Sequence, residues 1–172
     1  MNQIIINDSN ITDADVIKFV NKSRAVLLKE NKILTANYGG VILLPGGSVE
    51  NGETFDQAIL REIKEELGID YNIEELNELL TIKYYQSNYP TRDNEIINRL
   101  ITTKYYIANY KGIDINETHR TKEEIEENFY LKLLEISELE QLLNNTGENP
   151  RKCYFDREIK EVIKVLKLSK YK

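Results

Sequence analysis

The sequence predicts an α/β protein, because runs rich in β-branched and aromatic residues alternate with segments whose apolar residues recur at helical spacing. Of the 172 residues, 41% are hydrophobic and 30% are charged. A chain of this length and composition can bury a substantial core and is short enough to form one domain. We therefore expect residues 1–172 to form a single globular domain.

The first part of the chain predicts a β-hairpin, a short strand and a glycine-rich loop. Two β-rich runs, 24–28 and 32–34, flank a polar turn, which is the pattern of a hairpin. The apolar run 41–44 predicts another strand. The Pro-Gly-Gly sequence that follows it predicts a loop over residues 45–53.

The next segment predicts a helix more clearly than any other part of the chain. Thr54 and Gln57 have the spacing of a capping box, in which the two residues cap each other's backbone N–H groups. Apolar residues then recur at helical spacing over 55–67. Gly68 is expected to end the helix, because glycine readily adopts the left-handed conformation found there.

The second part of the chain predicts further strands and helices. Residues with high β-propensity predict strands at 79–85, 100–110 and 129–133. Apolar residues at helical spacing predict helices at 135–143 and 154–168. Between these elements lie a polar connection with Pro90 and Asp93, a polar loop or insertion at 111–128, and a break at 147–150.

The chain is acidic, with a net charge of -6 and a sequence pI of about 5.0. Stable binding to a nucleic acid backbone needs clustered Lys and Arg side chains, so we expect no nucleic acid partner. An acidic protein also repels small polyanions. A polyanionic substrate would therefore need a bridging cation.

The cysteine content and the distribution of apolar residues predict a soluble protein of a reducing cytoplasm. Cys153 is the only cysteine, so neither an intramolecular disulfide nor a Cys-X-X-Cys metal site is expected. The apolar run 4–6 is short and has no basic flank, so we do not expect a signal peptide. No stretch approaches the roughly 20 apolar residues of a membrane span.

The helix predicted over 55–67 carries an acidic cluster near its end. At about 100° per residue, Glu62, Glu65 and Glu66 project from one stripe of the helix. Like charges at this spacing, in the C-terminal half of a helix, destabilise it. A divalent cation would offset that cost, and carboxylate ligands favour Mg²⁺ or Mn²⁺ over zinc. The alternative for such a cluster is a solvated acidic face.

The spacing between this cluster and the preceding glycines favours the metal site. Segment 47–69 has the pattern G-x5-E-x7-R-E-I-x-E-E-x-G-I, and in this it resembles the Nudix box, G-x5-E-x7-R-E-U-x-E-E-x-G-U, where U is bulky and aliphatic. The matching positions are Gly47, Glu53, Arg61, Glu62, Ile63, Glu65, Glu66, Gly68 and Ile69.

The resemblance implies both a fold and a reaction. Nudix proteins are α/β/α sandwiches around a central mixed β-sheet, and water attacks one phosphorus of a diphosphate linkage in their substrates. Residues 1–172 would then form a single Nudix hydrolase domain with Mg²⁺, or Mn²⁺ in its place, as cofactor. The implied substrate is a nucleoside diphosphate linked to another moiety, such as a nucleoside triphosphate or a dinucleoside polyphosphate.

The resemblance also assigns metal ligands by position. Glu65 and Glu66 are implied as the main ligands, and Glu62 as a further ligand or as the base that activates water. The carbonyl of Gly46 is an additional candidate ligand. The general base of some family members lies on a later loop instead, and the acids of this chain at that place are Glu124, Glu126 and Glu127.

Arg61 is expected to support catalysis without binding the metal. A guanidinium group has no acceptor, so it cannot be a ligand. Its fork can instead hold a neighbouring carboxylate, such as Glu53 or Glu65, in the pose needed for metal binding.

Candidate substrate-binding residues lie outside the box. Tyr85 stands about sixteen residues beyond it, where a tyrosine is associated in this family with dinucleoside polyphosphates, although packing on a strand face is the alternative for each tyrosine in this region. Arg99 is a second candidate. A proline near the position of Tyr85 is associated with ADP-ribose, and because Pro90 comes several residues later, ADP-ribose is disfavoured.

Two other classes of function remain open at this point. A non-catalytic module that senses or binds a nucleotide could use the same fold, although such modules commonly lose the acids of the box. A structural domain with a solvated acidic helix is the second alternative. We expect a small-molecule nucleotide as partner, no membrane, and a homodimer as one allowed assembly; His119, in a polar stretch, is assigned no role.

Overall fold

The computed structural model describes residues 2–119, 121–144 and 149–169. The strands are β1 (Gln3–Ile6), β2 (Lys18–Lys29), β3 (Lys32–Tyr38), β4 (Val41–Leu43), β5 (Gly46–Ser48), β6 (Asn77–Pro90), β7 (Ile96–Asn109) and β8 (Tyr130–Glu135). The helices are α1 (Phe55–Leu67), α2 (Lys122–Glu126), α3 (Ile136–Asn144) and α4 (Lys152–Ser169). Two 3₁₀ turns span Asp13–Asp15 and Ile73–Glu75.

The strands form one mixed β-sheet, as the α/β prediction requires. Neighbouring strands follow the order β1-β6-β7-β2-β3-β4, while β5 pairs with β2 and β8 pairs with β3. The pairs β1 with β6 and β2 with β7 are parallel, and the other pairs are antiparallel. The long strand β2 therefore joins a parallel half of the sheet to an antiparallel half.

Helices cover both faces of the sheet, so the α/β/α arrangement is confirmed. Because side chains alternate along a strand, Ala25 and Leu27 of β2 point to one face and Val26 points to the other. The first face packs against Ile59, Ile63 and Leu67 of α1. The second face packs against apolar residues of α3 and α4, namely Leu139, Leu143, Ile159, Val162, Ile163 and Leu166.

The predicted caps of α1 are present. The Thr54 hydroxyl accepts from the Gln57 N–H at 3.2 Å, and the Gln57 side chain accepts from the Thr54 N–H at 2.8 Å. At the other end Gly68 has φ +72°, a conformation that favours glycine. The position of α1 is thus fixed by signals that lie within its own sequence.

The glycine-rich segment differs from its prediction as a continuous loop. Gly46 and Gly47 pair with Arg24 and Ser23 of β2, so Gly46–Ser48 is a strand. The β-propensities of its residues do not reveal this strand, because glycine weakens strands in general. Here the backbone pairing, which depends on a distant segment, decides the conformation.

The polar connection predicted between the strands at 79–85 and 100–110 is shorter than expected and spans residues 91–95. Strand β6 continues to Pro90, and β7 begins at Ile96, with Pro90 opposite Ile96. Polar residues such as Asn88 weaken the strand signal there. The hairpin is long because its two strands pair with each other throughout.

Two further elements were not predicted, whereas the last two helices were. The apolar run 4–6 lies within β1, which pairs with β6 far along the chain. The polar stretch 111–128, predicted as a loop, contains α2, and the Thr121 hydroxyl caps this helix. The last two helices are Ile136–Asn144 and Lys152–Ser169, close to the predicted bounds. Residues 147 and 148 of the predicted break lie outside the described residues.

No helix in the described part of the chain is long and apolar enough to cross a membrane.

Candidate active site

The three glutamates of the acidic stripe line one cavity of about 830 Å³. Glu62, Glu65 and Glu66 all reach it from α1, as their helical spacing predicts. The Gly46-Gly47 segment of β5 forms the adjoining wall of the cavity. The capped helix and the short strand therefore bring the acids and the glycine backbone together.

Glu66 is the most buried of the three acids, with 6% of its surface exposed. Its Oε2 accepts a hydrogen bond from the Gly46 N–H at 3.1 Å. Burial raises the pKa of Glu66 well above its usual range, and repulsion from Glu62 raises it further. A cation beside Glu66 would favour the ionised form of its carboxyl group.

Glu62 packs directly against the backbone of Gly47. A Cβ atom at position 47 would stand 2.3 Å from Glu62 Oε1, a distance that no pair of non-bonded atoms tolerates. Burial raises the pKa of the Glu62 carboxyl, while its contact with Arg61 opposes that rise. Glycine at position 47 therefore makes room for the glutamate.

Arg61 joins the acids of the box to one another. Its Nε and Nη2 donate to the two oxygens of Glu53 at 2.9 and 3.0 Å. Its Nη1 donates to Glu62 Oε1 at 2.9 Å and to Glu65 Oε2 at 3.2 Å. The contacts with Glu53 and Glu65 were predicted from the sequence, whereas the contact with Glu62 was not.

Gly46 is held in a conformation that other residues avoid, with φ +124°. A Cβ there would lie 2.2 Å from the Ser23 carbonyl oxygen. The Gly46 carbonyl accepts from Arg24 Nη1 at 3.0 Å, and the same nitrogen also donates to the Leu44 carbonyl. Arg24 was not singled out in the sequence, although an arginine within an apolar strand is a signal that could have identified it.

The donor atoms of this cluster fit a hard divalent cation. Three carboxylates and the Gly46 carbonyl supply oxygens, which Mg²⁺ and Mn²⁺ prefer. Across residues 2–119, 121–144 and 149–169, no three acidic, His or Cys side chains are grouped closely enough to hold a metal. Arg61 lies between Glu62 and Glu65, so joint ligation requires the half-exposed Glu65 to turn away from Arg61.

The other candidate residues divide between the cavity and the rest of the surface. Arg99, Glu124 and Glu127 line the cavity, but Glu126 does not. Tyr85 also lies outside the cavity lining, and its hydroxyl donates to Asp13 Oδ1 at 2.8 Å.

His119 is exposed, in agreement with the sequence analysis. Its backbone N–H donates to the Glu65 carbonyl at 2.8 Å.

The cavity lining also includes basic and aromatic residues. Its basic residues are Lys18, Lys22, Arg24, Arg61, Arg92, Arg99 and Arg151. Its aromatic residues are Tyr38, Tyr89, Phe129 and Phe155. Basic side chains and rings in one cavity suit a small anionic molecule with an aromatic part.

Comparison with known proteins gives this arrangement a family. A family model described as the NUDIX domain matches residues 10–156. An ADP-ribose pyrophosphatase of Methanocaldococcus jannaschii is 47% identical over 49 residues, 26% of this chain and 29% of that protein. An 8-oxo-dGTP diphosphatase of Proteus vulgaris is 51% identical over 37 residues, 22% of this chain and 33% of that protein. The matches thus span a third or less of these two relatives.

Solved structures share the fold at lower identity. A MutT NUDIX hydrolase from Burkholderia pseudomallei has a TM-score of 0.51 at 17% identity, covering 81% of this chain and 97% of that chain. A bifunctional NMN adenylyltransferase/ADP ribose pyrophosphatase from Francisella tularensis, complexed with AMP and a Mn ion, has a TM-score of 0.53 at 20% identity. It covers 84% of this chain and 42% of that chain.

The mixed sheet between helices and the acidic loop-helix beside it define an α/β protein with a carboxylate site between α1 and β5. Because the family model spans most of the sequence, the chain belongs to the NUDIX domain family. The resemblance of residues 47–69 to the Nudix box is thereby confirmed.

Proposed function

We propose that this protein is a divalent-metal-dependent hydrolase that cleaves a pyrophosphate bond in a nucleoside diphosphate linked to another moiety. The observation that carries the proposal is the convergence of Glu62, Glu65 and Glu66 on the Gly46-Gly47 backbone in one cavity. Crowded and partly buried carboxylates destabilise a fold unless a cation offsets their repulsion. Proteins retain such a cost at functional sites.

In this proposal the metal is held by oxygens of the box. Glu65 and Glu66 are its main ligands, with Glu62 and the Gly46 carbonyl as further donors. When bound, Mg²⁺ or Mn²⁺ neutralises diphosphate oxygens and lowers the pKa of a coordinated water. Arg61 supports the set, because one guanidinium contacts Glu53, Glu62 and Glu65 and limits the poses that they can adopt.

A side chain must accept the proton of the attacking water. Glu62 is one candidate, since burial raises the pKa of its carboxyl and makes it a better base than an exposed glutamate. Glu124 and Glu127 are the alternatives that line the same cavity. Glu126, a candidate in the sequence, lies outside the cavity lining and is the least suited of the three later acids.

The proposed substrate class follows from what the relatives have in common. ADP-ribose and 8-oxo-dGTP, the compounds in the names of the two curated relatives, are both nucleotides with a phosphoanhydride bond. We therefore assign the class, a nucleoside triphosphate, a dinucleoside polyphosphate or a related diphosphate. The cavity is large enough for a mononucleotide, and its rings offer stacking surfaces for a base.

The direct experiment measures release of phosphate or of a mononucleotide from a substrate panel with Mg²⁺ and with EDTA. The panel contains nucleoside triphosphates, dinucleoside polyphosphates, ADP-ribose and nucleotide sugars. Cleavage of one class that requires the metal supports the proposal. Tight nucleotide binding without cleavage of any compound would contradict it and favour a sensor module.

A further inference from the structure

Three basic side chains project from one face of the sheet into the cavity. In the parallel register of β2 and β7, Lys18 is opposite Arg99 and Arg24 is opposite Tyr105. Because residues two apart in a strand share a face, Lys22, Arg24 and Arg99 point the same way. All three line the cavity that the glutamates of α1 also line.

Arg99 is held rigidly, yet part of its guanidinium lacks a partner. Its Nε donates to Gln86 Oε1 at 2.7 Å, and its central carbon lies 3.2 Å from the ring centroid of Tyr89. The residue is 9% exposed. Its Nη2 is buried and has no hydrogen-bond partner among the described residues. A buried donor of a charged group is costly to leave unpaired, so this nitrogen points to a ligand.

Lys22 stands beside this site as a second cation without a close counter-ion. Its Nζ lies 5.6 Å from the ring centroid of Phe155, and no carboxylate in the described part of the chain forms a salt bridge with it. Burial, together with the charges of Arg24 and Arg99, lowers the pKa of Lys22 to about 7, although the charges of Glu158 and Glu62 oppose this shift. An anion beside Lys22 would favour its charged form.

The carboxylates near Lys22 and Arg99 do not pair directly with these two side chains. Glu158 of α4 faces the same region and is buried, with Oε1 lacking a hydrogen-bond partner among the described residues. Glu62 lies within electrostatic reach of Lys22 and Arg24, and Glu66 lies within reach of Arg24. In the described part of the chain, none of these carboxylates forms a salt bridge with Lys22 or Arg99.

We propose that Lys22 and Arg99 form a binding site for the phosphate oxygens of the substrate, in the cavity that the proposed metal ligands also line. This inference rests on the proposed function and specifies which part of the substrate the chain itself holds. The planar fork of Arg99 suits two oxygens of one phosphate, and Lys22 supplies a point charge to the neighbouring oxygens. The diphosphate is then held from both sides, by the metal and by this pair.

The site requires two adjacent phosphates, which defines the ligand class as diphosphates. A single phosphate can satisfy either the metal side or the Lys22–Arg99 side. A diphosphate can satisfy both, because Glu62 lies near enough to Lys22 for their charges to interact. Inorganic pyrophosphate is the simplest probe of the pair, and orthophosphate is its matched comparison.

The test measures binding of pyrophosphate by calorimetry in EDTA, so that no metal and no turnover are needed. We expect Arg99→Gln and Lys22→Gln each to weaken binding at least about tenfold, because each removes a charged donor. Arg99→Lys should fall between Arg99→Gln and the wild type. Arg92→Gln is the control: Arg92 lines the same cavity, but its side chain already contacts the Tyr38 hydroxyl, and we expect less than about a twofold change.

Several outcomes would overturn this proposal. One is equal weakening by Arg99→Gln and Arg92→Gln, which would indicate a diffuse positive field. Another is no binding of pyrophosphate by the wild type. Melting curves show whether Arg99→Gln is folded. If Arg99→Gln is unfolded, the pyrophosphate affinity of Arg99→Lys is compared with that of the wild type instead.

The same measurement separates this proposal from the proposed hydrolase. Pyrophosphate binding that depends on Arg99, in a protein that cleaves no compound of the panel, leaves the phosphate site intact and contradicts the hydrolase. Metal-dependent cleavage with the wild-type rate and KM in Arg99→Gln contradicts the phosphate site alone.

Discussion

Arg61 and Glu53 form a two-pronged ion pair, with Nε and Nη2 donating to the two carboxylate oxygens at 2.9 and 3.0 Å. This pair lowers the pKa of Glu53, so Glu53 stays ionised and keeps the guanidinium in place. The remaining Nη1 is thereby directed at Glu62 and Glu65. The arginine of the box thus links an acid from the loop to two acids of the helix.

The first prediction concerns this link. Arg61→Lys should lower kcat and raise the metal concentration needed for half-maximal activity, by about 10- to 100-fold in total, because an ammonium cannot make the same fork. Metal titrations of turnover check this. Arg157→Lys, a change on the outer surface of α4, is the control. Wild-type metal dependence in Arg61→Lys would show that the link has no role in catalysis.

The second prediction concerns the space beside Glu62. Gly47→Ala places a methyl group 2.3 Å from Glu62 Oε1 and must displace the carboxylate. We expect turnover to fall about 100-fold, since small misplacements of catalytic groups have effects of this size. Gly52→Ala is the control, because nothing lies within 4 Å of its Cβ and its φ of +82° gives only backbone strain. Equal turnover losses in the two variants would contradict the account.

The third prediction concerns the buried charge of Glu66. In EDTA at pH 8, Glu66→Gln should raise the free energy of unfolding by about 1 kcal/mol, because it removes a buried charge near Glu62. The Gln side-chain oxygen can still accept from the Gly46 N–H. The same variant should lose turnover with Mg²⁺. Urea denaturation measures the free energy of unfolding. A clear loss of stability in Glu66→Gln would contradict the claim that the charge of Glu66 destabilises the metal-free fold.

The fourth prediction concerns the pH dependence that Lys22 contributes to stability. The pKa of Lys22 is about 7 in the folded protein, against 10.5 as its ordinary value. Between these values the unfolded chain binds more protons, so this contribution to stability rises with pH through the window. Below about pH 7 the lysine is charged in both states, and its full destabilising effect is present.

Lys22→Met removes that effect, so its stability gain over the wild type should be larger at pH 6 than at pH 10, by about 1 kcal/mol or more. The charged groups that face Lys22 are Arg24, Arg99, Glu158 and Glu62, and the variant leaves them unchanged. Denaturation curves of both proteins at the two pH values provide the measurement. An equal gain at both values would mean that Lys22 does not titrate in this range.

Local signals in the sequence predicted much of the catalytic segment. The capping box, the helical spacing of the acids and the glycine that ends α1 all lie within residues 46–68. Each reflects contacts between residues close in the chain. The glutamate cluster and the contacts of Arg61 with Glu53 and Glu65 could therefore be expected without a structure.

Arg99 was a candidate in the sequence, but its combination with Lys22 could not be predicted in the same way. The two residues line one cavity because β2 pairs in parallel with β7, a contact between segments about 80 residues apart in sequence. Tyr85, in contrast, was a candidate in the sequence but lies outside the cavity lining. Its neighbours Tyr84 and Gln86 are buried on one face of β6, and strand alternation turns Tyr85 to the other face, away from the cavity.

The most direct test of the account compares metal-dependent nucleotide cleavage by wild type, Glu65→Gln and Glu126→Gln. Glu65 lines the cavity as a proposed ligand, whereas Glu126 is an acid outside its lining. We expect cleavage with Mg²⁺ and none with EDTA, a loss of at least about 100-fold in Glu65→Gln, and wild-type turnover in Glu126→Gln. Near wild-type turnover in Glu65→Gln, or cleavage that persists in EDTA, would contradict the central claim that the glutamates of α1 hold a catalytic metal.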